Sequence, residues 1–136
     1  MTQFRPLRRD ERGVAVIEIA IVLPVLILFI YGIFQIGILY QANAGMQHAL
    51  GEGARFATLC IRPDPCENPT EAQVRTRIND NVFGTNPGIF AVPTPTAING
   101  TMTLTVNYSQ PMNFLLFPGP TVNLTRRKVV YLAPTT

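Results

Sequence analysis

The side chain best placed to do chemistry in this sequence is Glu18. From Ile19 to Gly51 there are 33 residues without Asp, Glu, Lys or Arg, and Glu18 is the last charge before that gap. A carboxylate at the middle of a bilayer costs about 2.5–3.5 kcal/mol on insertion scales. Near one end of a helix, snorkelling and the positive N-terminal dipole lower that cost. Glu18 therefore has two readings: an interfacial residue of a plain anchor, or an acid kept at the head of an apolar helix to meet a cation. Cys60 and Cys66 enclose Ile61-Arg62-Pro63-Asp64-Pro65. They read either as a disulfide that staples a tight loop in an oxidising compartment or as two free buried thiols. The spacing is not C-x-x-C and no further ligand residues lie near, which argues against zinc. His48 is the only histidine, and without partners it reads as a helix-surface residue. No Ser/His/Asp set, metal-ligand spacing or phosphate loop occurs. The reading is a protein that is not an enzyme and needs no cofactor or metal.

These residues have to be positioned by the elements around them. Only 14% of the residues are charged, against about 25% in an ordinary domain, and the deficit is concentrated in the gap after Glu18. Val14 to Tyr40 is a run of 27 mostly apolar residues, and a helix needs roughly 20 to cross a bilayer. The rest of the chain is too short to wrap such a rod on all sides, so a transmembrane helix is expected over 14–40. Residues 1–13 carry four Arg against two acids, and the next basic residue after the span is Arg55. That bias keeps the N-terminus in the cytoplasm and sends the C-terminal part across. The apolar core exceeds the ~7–15 residues of a secretory signal, and no small-residue cleavage site follows it, so the span is expected to remain.

The junction of basic leader and span, Gly13-Val14-Ala15-Val16-Ile17-Glu18, resembles the leader-peptidase site of prepilins. Cutting after Gly13 would leave a new amine on Val14 at the head of a buried helix, poorly placed against the positive end of the helix dipole. In a filament Glu18 of one subunit could pair with that amine on another, removing two costly groups together. With Leu23-Pro24 in the span and Gly51-Glu52-Gly53-Ala54-Arg55 downstream, the first 55 residues resemble the TadE family of pseudopilins of the bacterial tight-adherence (Tad, Flp) pilus apparatus. Ile19 departs from the Phe or Tyr that often follows the Glu in that family. The resemblance implies cleavage of the Gly13–Val14 bond by a membrane aspartate protease, the Tad prepilin peptidase, and a mature chain of 123 residues. It also implies a minor pilin or pseudopilin in the bacterial inner membrane, with its C-terminal part periplasmic and open to incorporation in an extracellular pilus. The partners implied are the peptidase, other pseudopilins, the major Flp pilin and the inner-membrane assembly platform. Two other classes stay open: a minor pseudopilin of a type II secretion system, and an unprocessed signal-anchored periplasmic protein with a binding domain.

The helix is expected to continue to about Leu59, giving a layout of leader 1–13, long hydrophobic helix 14–59 and a small domain 60–136. Pro24 lacks an amide hydrogen and should kink or locally melt the span. Gly32 and Gly37 in the span, and Gly45, Gly51 and Gly53 beyond it, would let other backbones approach closely. A second helix is predicted over Glu71–Phe83, opened by a Thr70/Gln73 capping box, striped by Val74, Ile78 and Val82, and closed by Gly84. Glu71, Arg75, Arg77 and Asp80 read as its solvated face.

The period then changes to two. Met102, Leu104, Val106 and Tyr108 alternate with polar residues as a half-buried strand, and Thr121–Leu132 supplies another. An edge strand is possible near Ile89–Val92. Pro111 to Pro120 reads as an apolar loop with three open roles: capping the sheet, touching the membrane or meeting a partner. Arg126-Arg127-Lys128 reads as a guarded sheet edge, too narrow for nucleic acid. The Asn-x-Ser/Thr triplets, Asn99-Gly100-Thr101 among them, read as chance matches. The fold class expected is α+β.

Overall fold

The computed structural model describes residues 11–63, 65–84, 86–114 and 117–134. Most of the leader (residues 1–10), Asp64 of the cysteine loop and Leu115-Leu116 of the apolar segment lie outside the described residues. The architecture is α+β: a long apolar N-terminal helix, a second helix and a small antiparallel sheet.

Helix α1 runs from Glu11 to Ala57, 47 residues, about 70 Å at 1.5 Å per residue. It passes through Pro24 without a break. The expected local melting does not occur, because Pro removes one backbone hydrogen bond while the surrounding apolar residues keep all the others. The two halves of α1 differ in what surrounds them. Its most apolar 18-residue window has a mean hydropathy of 2.9 and none of it is buried within the chain. Further on, Ala42, Met46, Ala49, Leu50, Ala54 and Ala57 are buried. They recur at three- and four-residue steps and form one stripe. Small side chains on that stripe let the sheet and the second helix lie close.

Past α1 the chain makes a two-stranded antiparallel pair, β1 (Arg62–Pro63) with β2 (Cys66–Glu67), tied by the Cys60–Cys66 disulfide. Helix α2 covers Glu71–Asp80. It opens on the expected capping box, with the Thr70 side chain accepting from the Gln73 backbone amide while the Gln73 side chain accepts from the Thr70 amide. Its end differs from expectation. The cap is Asn81, not Gly84, and the Asn81 side-chain amide donates to the Arg77 carbonyl. Val82 lies beyond the helix yet still packs on the core. The supposed solvated face also does structural work. The Arg75 Nε donates to the Val92 carbonyl at 2.9 Å, and the Glu71 carboxylate accepts from the Ala97 amide at 2.8 Å. Arg77 pairs with Glu52 of α1 at 3.6 Å.

The sheet is built on β5 (Thr101–Phe114). Along one side it pairs with β3 (Ile89–Ala91) and β4 (Thr96–Ile98), and along the other with β6 (Phe117–Tyr131), all antiparallel. Met102, Leu104, Val106, Tyr108 and Gln110 alternate inward and are buried, as a period-two strand requires. The β4–β5 connection is Asn99-Gly100, with φ of 49° and 74°. Both central residues of a two-residue hairpin turn of this kind need positive φ, so this Asn-Gly is turn chemistry.

The apolar segment from Pro111 to Pro120 is a strand hairpin in the structure. Pairing continues past Gln110–Val122 to Phe114 opposite Phe117, with one irregularity between Pro111 and Asn113. Beyond Ser109, where β3 ends, β5 has a neighbour on one side only, which is where a strand accommodates Pro. The expectation of a loop failed because a Pro-rich sequence reads as a breaker unless the strand has a free edge.

Two glycines of α1 show how close packing separates from open helix. A Cβ at Gly45 would collide with the Phe83 carbonyl, whereas one at Gly51 would meet nothing within 4 Å. Gly51→Ala is therefore expected to stabilise the fold by about 1 kcal/mol through helix propensity. Gly45→Ala is expected to destabilise it by a similar amount, because overpacking by about 1–3 kcal/mol exceeds the propensity gain. Thermal unfolding of both variants in detergent checks the opposite signs.

Candidate functional site

The predicted processing and assembly residues stand at the head of α1. Gly13, Val14 and Glu18 lie in continuous helix and are exposed. Among the described residues no cation pairs with Glu18. Its carboxylate borders a shallow apolar flank formed by Ile19, Val22, Leu23 and Leu26. An acid beside an apolar strip presents to a second helix both a surface to bury and a charge to satisfy.

The glycines expected to serve helix packing divide. Gly32 and Gly37 face open space, while Gly45 lies against the Phe83 backbone and Gly53 against the Ile78 side chain. Close approach within the chain is thus confined to the second half of α1. Among the described residues the notches at Gly32 and Gly37 have no partner, and Pro24 lies in the exposed N-terminal part of the same helix.

Sequence reasoning missed one polar constellation. Gln35, on the apolar half of α1, is only 5% exposed, and Gln110 of β5 is fully buried. The Gln110 Nε2 donates to the Gln35 Oε1 at 3.1 Å. The Gln35 Nε2 donates to the Asn113 carbonyl at 3.1 Å and to the Tyr31 hydroxyl at 3.2 Å. At the other end, the Tyr108 hydroxyl donates to the Gln110 Oε1 at 2.6 Å. Burial pushes the Tyr108 phenol above its usual pKa range, with a backbone hydrogen bond to Gly88 working against the shift. The chain Tyr108–Gln110–Gln35–Asn113 fastens the far arm of the β5–β6 hairpin to α1. The available signal was Gln35 itself, the one amide in the 27-residue apolar run from Val14 to Tyr40. A buried amide is retained only where its hydrogen bonds are met.

Higher on the same face the Arg126 Nε donates to the Asn43 Oδ1 at 2.8 Å. Ile36, Leu39, Tyr40 and Leu124 line an apolar groove of about 260 Å³ with Asn43 and Arg126 beside it. The basic cluster lies on β6, which among the described residues pairs only with β5 and is an edge, as expected. His48 stands on the surface with its ring 5.6 Å from that of Phe83.

One comparison bears directly on the head of α1. The family model described as TadE-like protein matches residues 13–55. The N-terminal segment is TadE-like. The match opens on Gly13, takes in Glu18, Pro24, Gly32 and Gly37, and closes on Arg55. Within the structure that stretch is α1 almost to its end, so the TadE-like part comprises both the apolar half, covered by the hairpin only around Gln35, and the stripe that carries the core. No curated protein and no solved structure matches the chain.

Proposed function

We propose that this TadE-like chain is a minor pilin or pseudopilin of a Tad pilus assembly system, a structural component that works by assembly. The observation that carries the reading is the family match opening on Gly13, the residue after which a prepilin peptidase would cut. Cleavage of the Gly13–Val14 bond removes the basic leader and leaves the Val14 amine at the head of α1. Residues 14–40 hold the chain in the inner membrane, with the leader cytoplasmic and the region beyond residue 60 periplasmic. During assembly the exposed apolar flank of α1 leaves lipid for the helices of other subunits. Glu18 then neutralises the Val14 amine of a neighbour, and Gly32 and Gly37 admit neighbouring helices closely. The partners are the peptidase, other pseudopilins, the major Flp pilin and the assembly platform. The region from residue 60 to the end gives the subunit a headpiece suited to a tip or an initiation complex.

The test is N-terminal sequencing of the protein recovered from membranes of cells with an active prepilin peptidase. The expected first residue is Val14. A chain that still begins at Met1 in those cells overturns the reading and leaves a plain signal-anchored protein. Cleavage at Val14 in a chain whose gene neighbours encode a type II secretion apparatus would move it to that machine instead.

A further inference from the structure

The hairpin arm of β5 and β6 reaches down α1 further than the membrane boundary allows for a wholly aqueous domain. Position along α1 falls as position along β5 rises. Arg126, opposite Val106, bonds Asn43, while Gln110 and Asn113 bond Gln35. Gln35 lies five residues before Tyr40, the end of the apolar run, or about 8 Å deeper along the helix axis. Tyr31, bonded to the same Gln35, lies deeper again. A hydrocarbon core of about 30 Å takes roughly 20 helical residues, which counted from Ile19 ends close to Tyr40. Asn113 and Phe114 are therefore held below that plane.

The composition of the arm suits that depth. From Asn81 to Thr125 there is no charged residue. The described side chains at the arm's end include Met112, Phe114, Phe117 and Pro118. The Phe114 and Phe117 rings lie 5.2 Å apart, and Phe117 is 55% exposed. The β5–β6 ladder satisfies the backbone groups that face between the two strands, and Gln35 takes the Asn113 carbonyl. The outward-facing groups of both strands have no partner strand, so the arm lies shallow, where headgroups and interfacial water reach them. The first charges on the way back are Arg126, Arg127 and Lys128. They lie at the level of Asn43, where lipid phosphates stand. An isolated two-stranded hairpin is marginal in water, and this one is fastened to the one amide of the apolar run.

We propose that the β5–β6 hairpin end is a second membrane contact, immersed in the outer face of the bilayer beside α1, with Phe117 in lipid and the basic cluster at the headgroups. The proposal rests on α1 spanning the membrane. The occupant it commits to is lipid, because the arm is continuous with the face of the helix that lipid surrounds. A second copy of the chain is the competing occupant.

The chain contains no Trp, so single tryptophans report depth in the full-length protein reconstituted at one copy per nanodisc, with and without lipids brominated on their acyl chains. Phe117→Trp is expected to emit at short wavelength and to lose about half its emission to brominated lipid, in keeping with an aromatic at the interface. Phe29→Trp, in mid-span, should be quenched at least as strongly. Tyr131→Trp, at the far end of β6 and 79% exposed, should be unaffected. Quenching at Phe29 with none at Phe117 overturns the proposal and leaves the anchor intact. No quenching at Phe29 removes the anchor and the proposal together. Shielding of Phe117 from aqueous quenchers only when copies are crowded assigns the arm to a second copy and also overturns it.

Discussion

Glu18→Ala is expected to leave the protein inserted and cleaved at Gly13–Val14 while its recovery in sheared pili falls by tenfold or more. The expectation follows from where the carboxylate stands. Glu18 is exposed on α1 with an apolar flank beside it and no cation bonded to it among the described residues. In the single subunit it lies near the helix end, where solvent and headgroups keep a charge tolerable. Packing that flank against another helix desolvates the carboxylate and the amine of Val14 together. Removing one member of such a pair leaves the other charge buried and alone, at a cost of about 3–5 kcal/mol, more than a hundredfold in subunit affinity. Insertion should not suffer, because alanine makes the span more apolar. Glu18→Asp keeps the charge on a shorter arm and should recover part of the assembly. The measurement compares the sheared and membrane fractions by immunoblot, with N-terminal sequencing of both. A sheared fraction at the wild-type level for Glu18→Ala would sink the pairing mechanism. A loss accompanied by failure to cleave would assign Glu18 to peptidase recognition.

How far this arrangement was legible in the sequence depends on whether the deciding contact was local. The Thr70/Gln73 capping box, the inward alternation of Met102 to Tyr108 and the apolar run of α1 are written in neighbouring residues. Periodicity and short-range hydrogen bonding suffice for them. The edge strand near Ile89 and the guarded edge at Arg126–Lys128 follow from similarly local patterns. The errors lie where a distant element decides. Gly84 reads as a helix cap until Asn81 takes the role. Arg75 and Glu71 read as solvated until Val92, in the β3–β4 connection, and Ala97, in β4, are brought to them. Pro111, Pro118 and Pro120 read as loop residues because the free edges that accommodate them, that of β5 past Ser109 and the outer edge of β6, are properties of the sheet. The bond between Gln35 and Gln110 joins positions 75 apart in sequence, and no periodicity connects them. Of the region around the candidate site, the long apolar helix that carries Gly13 and Glu18 could be read from local pattern, while the fastening of the hairpin to that helix could not.

That fastening carries the second large expectation. Gln35→Leu should loosen the hairpin arm by about 1–3 kcal/mol, the cost of leaving a buried amide without its partner. Leucine fills much of the same volume, so the loss comes from hydrogen bonds more than from a cavity. The orphaned groups are the Gln110 amide, which is fully buried, and the Asn113 carbonyl. Gln110→Leu should cost a similar amount, since it strands the Gln35 Oε1 and removes the acceptor of the Tyr108 hydroxyl. The double variant Gln35→Leu/Gln110→Leu removes both ends of the Gln35–Gln110 bond, so neither amide is left unmet by loss of the other, while the Asn113 carbonyl and the Tyr108 hydroxyl still lose a partner. Its cost should fall well short of the sum of the singles, and that deficit measures the coupling. Protease sensitivity of the hairpin and thermal unfolding in detergent supply the numbers. Strictly additive losses would mean that the Gln35–Gln110 bond does not hold the arm. Membrane insertion supplies an internal control, because leucine at position 35 improves the span on any hydropathy scale. A variant that inserts as well as the parent, yet lets the hairpin go, separates the two tasks of α1: spanning the bilayer and holding the sheet against its surface.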